Sequence, residues 1–169
     1  IFYFLMIWQN INEESKELVD KLKILSFKIS AAESCTGGLL SSAIVNNSGA
    51  SEVIERSFVT YSNESKISIL KINNSIIEQF GAVSKQTAYH MSLSLTKNFI
   101  SDIGIGITGI AGPNGGSEEK PVGLVWIGFG TKEKVITKKF LFKGSRLNIR
   151  LNATLESLRE LNEFLKNYP

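Results

Sequence analysis

The segment Glu33-Ser34-Cys35-Thr36-Gly37-Gly38 sets a hydroxyl beside a thiol, followed by small residues whose backbone can approach a ligand closely. It lies where an alternating apolar stretch, Leu25, Phe27, Ile29 and Ala31, gives way to a helix-like pattern at Leu39, Leu40, Ala43 and Ile44. A chain that leaves a strand, turns at glycines and enters a helix presents unpaired N–H groups and a positive dipole end. Such a turn suits a phosphate or a developing oxyanion. Ser34 is the leading nucleophile, with plain helix capping as its structural alternative, since no G-x-S-x-G elbow is present. Cys35 is the rival: a thiol is the better nucleophile, yet a lone cysteine is more often a buried small hydrophobe.

A nucleophilic serine needs a base. The sole histidine, His90, falls mid-helix between Tyr89 and Met91, where a structural role is the better reading. Tyr61 ends a strand pattern, and Lys66 comes about one turn into a helix that begins after Ser62. A lysine or tyrosine serves as base when burial or a cationic neighbour brings its pKa toward neutrality.

A long segment from Thr108 to Pro121 has little apolar content of its own, and Thr108-Gly109-Ile110-Ala111-Gly112-Pro113-Asn114-Gly115-Gly116 is rich in glycine. A simple hairpin does not need such a loop, which favours a binding role. The run Gly104-Ile105-Gly106-Ile107-Thr108-Gly109 fits G-x-G-x-x-G but lies within a strand with no helix after it. It is therefore discounted as a dinucleotide fingerprint, and Gly104 and Gly106 read as sites of close backbone packing. Two S-x-x-K matches, at Ser68 and Ser94, lack companion motifs and are attributed to chance.

The elements that must position these residues alternate along the chain. A helix over 13–24 feeds a strand at 25–32, then the Ser34 turn and a helix to about Asn46, then strand formers from Val53 to Tyr61. Ser62 caps a helix over 63–71, a second over 74–80 closes at Gly81, and Ser84 caps a third with Ala88, Met91, Leu95 and Phe99 on its apolar face. Ile103, Ile105 and Ile107 mark a buried strand. Strands at 122–129 and 133–142 form a hairpin around Gly130-Thr131-Lys132, so the sheet must be mixed. A last helix from Ser145 to about Asn167 turns Leu147, Leu151, Leu155, Leu158 and Leu165 inward. The expected fold is an α/β three-layer α/β/α sandwich with a mixed β-sheet, one domain over 1–169.

Composition narrows the function class. The 169 residues are 43% hydrophobic with a net charge of +3 and a pI of about 9.0, mildly basic without clustered Lys/Arg stripes, so a dedicated nucleic-acid binder is disfavoured. One cysteine and one histidine preclude an internal disulfide and leave few metal ligands, which fits a reducing cytoplasm. Residues 1–8 are almost wholly apolar but far short of the ~20 needed to span a bilayer, and they lack the basic lead of a signal peptide. Met6 is a candidate native start, with residues 1–5 as extra sequence; an added apolar strand or interface segment is the alternative.

Four blocks carry a resemblance: Ala32-Glu33-Ser34-Cys35-Thr36-Gly37-Gly38; Phe58-Val59-Thr60-Tyr61-Ser62-Asn63 with Lys66; Gly81-Ala82-Val83-Ser84; and Thr108-Gly109-Ile110-Ala111-Gly112-Pro113 running on to Lys120-Pro121-Val122-Gly123. In order and spacing the chain resembles the CinA C-terminal domain, the nicotinamide-nucleotide amidase family, and the region of Arg146 and Arg150 resembles that family's final helix. Ser57, where glycine is expected, and the lead-in Ser26-Phe27-Lys28-Ile29 depart from the pattern without touching the chemistry. The resemblance implies hydrolysis of nicotinamide mononucleotide to nicotinic acid mononucleotide and ammonia, without metal or organic cofactor. It implies Ser34, Tyr61 and Lys66 as the catalytic group, with Ser34 forming an acyl-enzyme. Glu33, Thr36, Gly37, Gly38, Ser62, Asn63, Thr108, Gly109, Ala111 and Gly112 would surround the substrate. Partners would be the small nucleotide and a second copy of the chain in a dimer, with no nucleic acid or membrane. The alternative is a non-catalytic nucleotide-binding or regulatory protein linked to competence or DNA damage. Either glycine-rich segment, the Gly37-Gly38 turn or the loop from Thr108, can hold the oxyanion while the other holds the phosphate.

Overall fold

The computed structural model describes residues 2–168. Its elements run α1 (Phe2–Leu25), β1 (Ile29–Glu33), α2 (Leu39–Val45), β2 (Ile54–Val59), α3 (Asn63–Ser68), α4 (Asn74–Phe80), α5 (Lys85–Asn98), β3 (Ile103–Gly109), β4 (Leu124–Gly130), β5 (Val135–Leu141) and α6 (Arg146–Lys166). The sheet order is β2-β1-β3-β4-β5, with β1 parallel to β2 and β3, and β4 antiparallel to both β3 and β5. The mixed α/β sandwich expected from the alternation of elements is therefore present.

Two hydrophobic clusters fill the layers on either face. Ile11, Leu18 and Leu22 of α1, Leu40 and Ile44 of α2, and Leu151, Leu155 and Leu158 of α6 meet Ile103, Ile105 and Ile107 of β3 on one side. Leu70, Ile77, Met91 and Leu95 pack with Ala32 and Phe58 on the other. β3 divides these duties by alternation, and its glycines are the reason α5 lies so close. A Cβ at Gly104 would come 2.3 Å from Ser92 O, and one at Gly106 2.4 Å from Met91 Cβ, as the strand pattern predicted.

The first helix, the first strand and the start of the last helix differ from the sequence reading. The stretch 25–32 is not one strand: Leu25 ends α1, Ser26 turns with φ +55°, and β1 begins only at Ile29. Alternating residues before a tight turn mimic a strand, and α1 itself is longer than the helix expected at 13–24. Of the apolar run 1–8, Ile1 lies outside the described residues, while the remainder joins α1 instead of forming a strand, with Ile7 buried. Leu147, expected inward, is 44% exposed in the first turn of α6, ahead of the buried residues of that helix, which begin at Ile149. Among the described residues no helix is long and apolar enough to cross a membrane.

The topology creates a fork. From β1 the chain crosses by α2 to β2 on one flank, and from β2 it returns through α3, α4 and α5 to β3 on the other flank. At such a switch point the carboxyl ends of parallel strands open a crevice. Ser34 follows the last residue of β1 and so stands at the head of it.

Candidate active site

Hydrogen bonds from both neighbouring strands hold the backbone where Ser34 leaves the sheet. The Ser34 amide donates to Ile107 O of β3 at 2.9 Å, and the Thr60 amide donates to Glu33 O at 2.9 Å. After β2 the chain turns at Thr60 to Ser62, and Ser62 caps α3 by accepting from the Ser65 amide at 3.0 Å. One turn into that helix, Lys66 sends its amine back over the turn. Its Nζ lies 3.2 Å from Ser34 Oγ, 2.8 Å from Thr60 O, 3.2 Å from Tyr61 O and 3.5 Å from Ser62 O.

Lys66 is only 1% exposed, and every partner it has is neutral. Removing an ammonium from water without a carboxylate to face it disfavours the charged form. Burial accordingly lowers Lys66 from 10.5 to about 8. Once neutral, the amine has two N–H bonds, which the two nearest carbonyls take, and a lone pair left for the Ser34 hydroxyl to donate into. Cys35 moves the opposite way. Burial first, with the Glu33 charge adding to it, pushes its thiol to about 12, so the more reactive side chain of the pair is held protonated.

Around this pair lies a cleft of about 180 Å³ lined by Ser34, Cys35, Tyr61, Lys66, Ala82, Val83, Thr108, Gly109, Ala111 and Arg146. The Thr108 hydroxyl donates to Ala82 O at 2.8 Å and ties the end of β3 to the segment before α5. Arg146, the first residue of α6, reaches across the mouth, its Nη1 donating to Gly112 O at 2.6 Å and its Nη2 to Tyr61 Oη at 3.0 Å. Both acceptors are uncharged.

Of the residues expected at the site, Ser34, Lys66, Tyr61, Thr108, Gly109 and Ala111 come together here. Tyr61 contributes its carbonyl to Lys66, while its phenol ring is 60% exposed and turned to Arg146. Gly112 takes part through its carbonyl. Glu33 is placed elsewhere: fully buried, its carboxylate accepts from the amides of Gly38 at 3.0 Å, Leu40 at 3.1 Å and Ser41 at 2.8 Å, and from Ser41 Oγ at 2.5 Å. The positive end of α2 thus already holds an anion, the chain's own carboxylate. Gly37 and Gly38, both at positive φ, shape this turn, with Thr36 buried inside it. Ser62 and Asn63 form the capped start of α3. His90 lies apart, in a shallow depression with Lys71 and Lys97, its pKa lowered by burial and by the Lys97 charge. No three His, Cys, Asp or Glu side chains converge as metal ligands among the described residues.

The family model of the CinA C-terminal domain matches residues 11–165, a span that takes in every residue of the cleft. The chain belongs to the CinA C-terminal domain family. This CinA domain is 44% identical to the nicotinamide-nucleotide amidohydrolase PncC of Enterobacter agglomerans, over 94% of this chain and 98% of that protein. It is 47% identical over 83% of its length to a putative competence-damage inducible protein of Caldicellulosiruptor bescii, of which it spans 34%. Among solved structures, the competence/damage inducible protein of Agrobacterium tumefaciens superposes with a TM-score of 0.89 at 36% identity, covering 92% of this chain and 95% of that one.

Two cations of this CinA domain were not among the expected site residues, Arg146 at the cleft mouth and Arg150 beneath the Ser34 turn. Their signal in the sequence was a conflict. Basic residues four apart in the first turns of a helix oppose its dipole, and a local rule broken without local gain flags a residue serving something else.

Proposed function

We propose that this chain hydrolyses the carboxamide of nicotinamide mononucleotide to nicotinic acid mononucleotide and ammonia through a Ser34 acyl-enzyme. The single observation that carries the reading is the buried Lys66 amine 3.2 Å from Ser34 Oγ, with two carbonyls oriented to take its N–H bonds. The coarser statement, hydrolysis of an amide, draws support from the likeness to the PncC amidohydrolase along nearly the whole of both chains.

In this reading neutral Lys66 takes the Ser34 proton as Oγ attacks the amide carbon. The tetrahedral intermediate then collapses; the C–N bond breaks, and Lys66 returns the proton to the departing nitrogen, which leaves as ammonia. Water enters, gives a proton to Lys66 and cleaves the ester, and that proton returns to Ser34. Backbone amides of the Ser34 turn that donate to no oxygen of the protein, such as that of Cys35, stabilise the oxyanion. Arg146 is suited to the phosphate, since a dianion is a far stronger partner for a guanidinium than the neutral acceptors it has now. In this reading the oxyanion lies at the Ser34 turn, and the phosphate beside Arg146 at the Gly112 loop.

Ammonia release from nicotinamide mononucleotide tests the reading. Turnover by the wild-type chain, with none above background in Ser34→Ala and a severely reduced rate in Lys66→Ala, is expected. Binding of the nucleotide by the wild-type chain with no ammonia formed would leave the regulatory alternative standing instead.

A further inference from the structure

We propose that Arg150 is a positioning residue for the reaction, fixing the peptide planes of the Ser34 turn so that their free amides point at the reacting carbonyl. The inference rests on the Ser34 reading above. Arg150 sits on α6, anchored between buried Ile149 and Leu151, and reaches under a turn more than a hundred residues away in sequence. Its Nε donates to Cys35 O at 3.0 Å and its Nη2 to Thr36 O at 2.8 Å.

Peptide units are rigid planes, so holding a carbonyl oxygen sets the direction of the N–H on the opposite edge. Arg150 on Cys35 O therefore aims the Thr36 amide. Arg150 on Thr36 O aims the Gly37 amide, which donates to Ser34 O at 3.1 Å and in turn fixes the plane that carries the Cys35 amide. One guanidinium thus governs three successive planes. Among the described residues the Thr36 amide donates to no protein acceptor and the Cys35 amide meets only its own thiol, whereas the Ser34, Gly37 and Gly38 amides all donate to an oxygen. The two amides left over are the two that follow the nucleophile, and Cys35 lines the cleft. Gly37 eases the approach: a Cβ there would lie 3.3 Å from Arg150 Nη2, which would have to give by a few tenths of an ångström. A positive charge on both carbonyls also polarises the amides behind them into better donors.

Steady-state ammonia release by Arg150→Ala, Arg150→Lys and Ser34→Ala, each with its thermal midpoint, tests the assignment. Misaimed oxyanion donors lower kcat and leave ground-state binding alone, so Arg150→Ala is expected to lose about 10²-fold in kcat with KM unchanged. The pH midpoint set by Lys66 stays in place, and added guanidinium ion restores part of the lost rate. Arg150→Lys, which keeps the charge but lacks the fork that spans two carbonyls, falls between. Should Arg150→Ala fail to fold, the intermediate kcat of a folded Arg150→Lys carries the test. An unchanged kcat in either folded variant overturns the proposal, as does a loss matched by the thermal midpoint with no rescue by guanidinium. Turnover that survives Ser34→Ala sinks the serine reading itself, whereas loss in Ser34→Ala with full kcat in Arg150→Ala sinks only the role of Arg150.

Discussion

At the residue scale, the site works by opposite treatment of two neighbours. Burial strips Lys66 of part of its affinity for a proton and gives Cys35 a firmer hold on its own, so the base is made available and the thiol is silenced. A base acts when deprotonated, so kcat/KM should climb with pH through a midpoint near 8. Lys66→Ala should lose that rising limb together with roughly 10²- to 10⁴-fold of the rate, the usual contribution of a positioned base. A pH profile of ammonia release that stays flat from 6 to 9 in the wild-type chain would remove Lys66 from that role. The same assay separates the adjacent nucleophiles: Cys35→Ala should keep kcat within a few-fold, roughly the cost of a small packing change, and Ser34→Ala should abolish turnover. The reversed pattern would transfer the attack to Cys35.

At the scale of elements, α2 shows how the turn stays in shape. Its seven residues begin at a Gly38 with no side-chain cap of its own, and Glu33 from the preceding strand supplies the missing acceptors. Glu33→Gln replaces one acceptor oxygen by a donor that faces amides. Loss of a charge-assisted bond in a buried place should cost about 1.5 to 3 kcal/mol, read as a lower urea midpoint with unchanged slope. No change in midpoint would mean that α2 needs no such anion. Much of this level was legible beforehand. Ser62, Ser84 and Ser145 announced the starts of α3, α5 and α6 because N-capping is a local interaction, and each does accept an amide three residues on. Lys66 was legible for the same reason, its place being set by the Ser62 cap. The contacts of Arg146 and Arg150 were not, since their partners are decided by how distant segments dock, and Glu33, expected beside the substrate, turns instead to amides five to eight residues on. Alternation at Leu25 and Phe27 misled because a helix end followed by a turn shares the period of a strand over so short a span.

At the scale of the whole molecule, the fold places a buried amine at the fork of its parallel strands, and that placement must register in global stability. In the unfolded chain Lys66 keeps its proton up to about pH 10.5; in the folded chain it releases it near 8. Below 8 both states bind the proton and the cost of burying the charge is constant. Between 8 and 10.5 the unfolded state binds more protons, so stability from this group rises with pH, and above 10.5 the rise stops. A shift of this size corresponds to a gain on the order of 3 kcal/mol across the window. Other lysines and the tyrosines titrate there too, so the informative quantity is a difference: unfolding free energy of the wild-type chain minus that of Lys66→Met, followed by urea titration from pH 7 to 10.5. Methionine keeps most of the volume and removes the charge. The difference should move steadily in favour of the wild-type chain as pH rises, the movement setting in near pH 8, where the amide hydrolysis reading places the midpoint of the rise in turnover. Curves that stay parallel would mean that Lys66 carries no perturbed proton, and both the stability account and the proposed base would fall together.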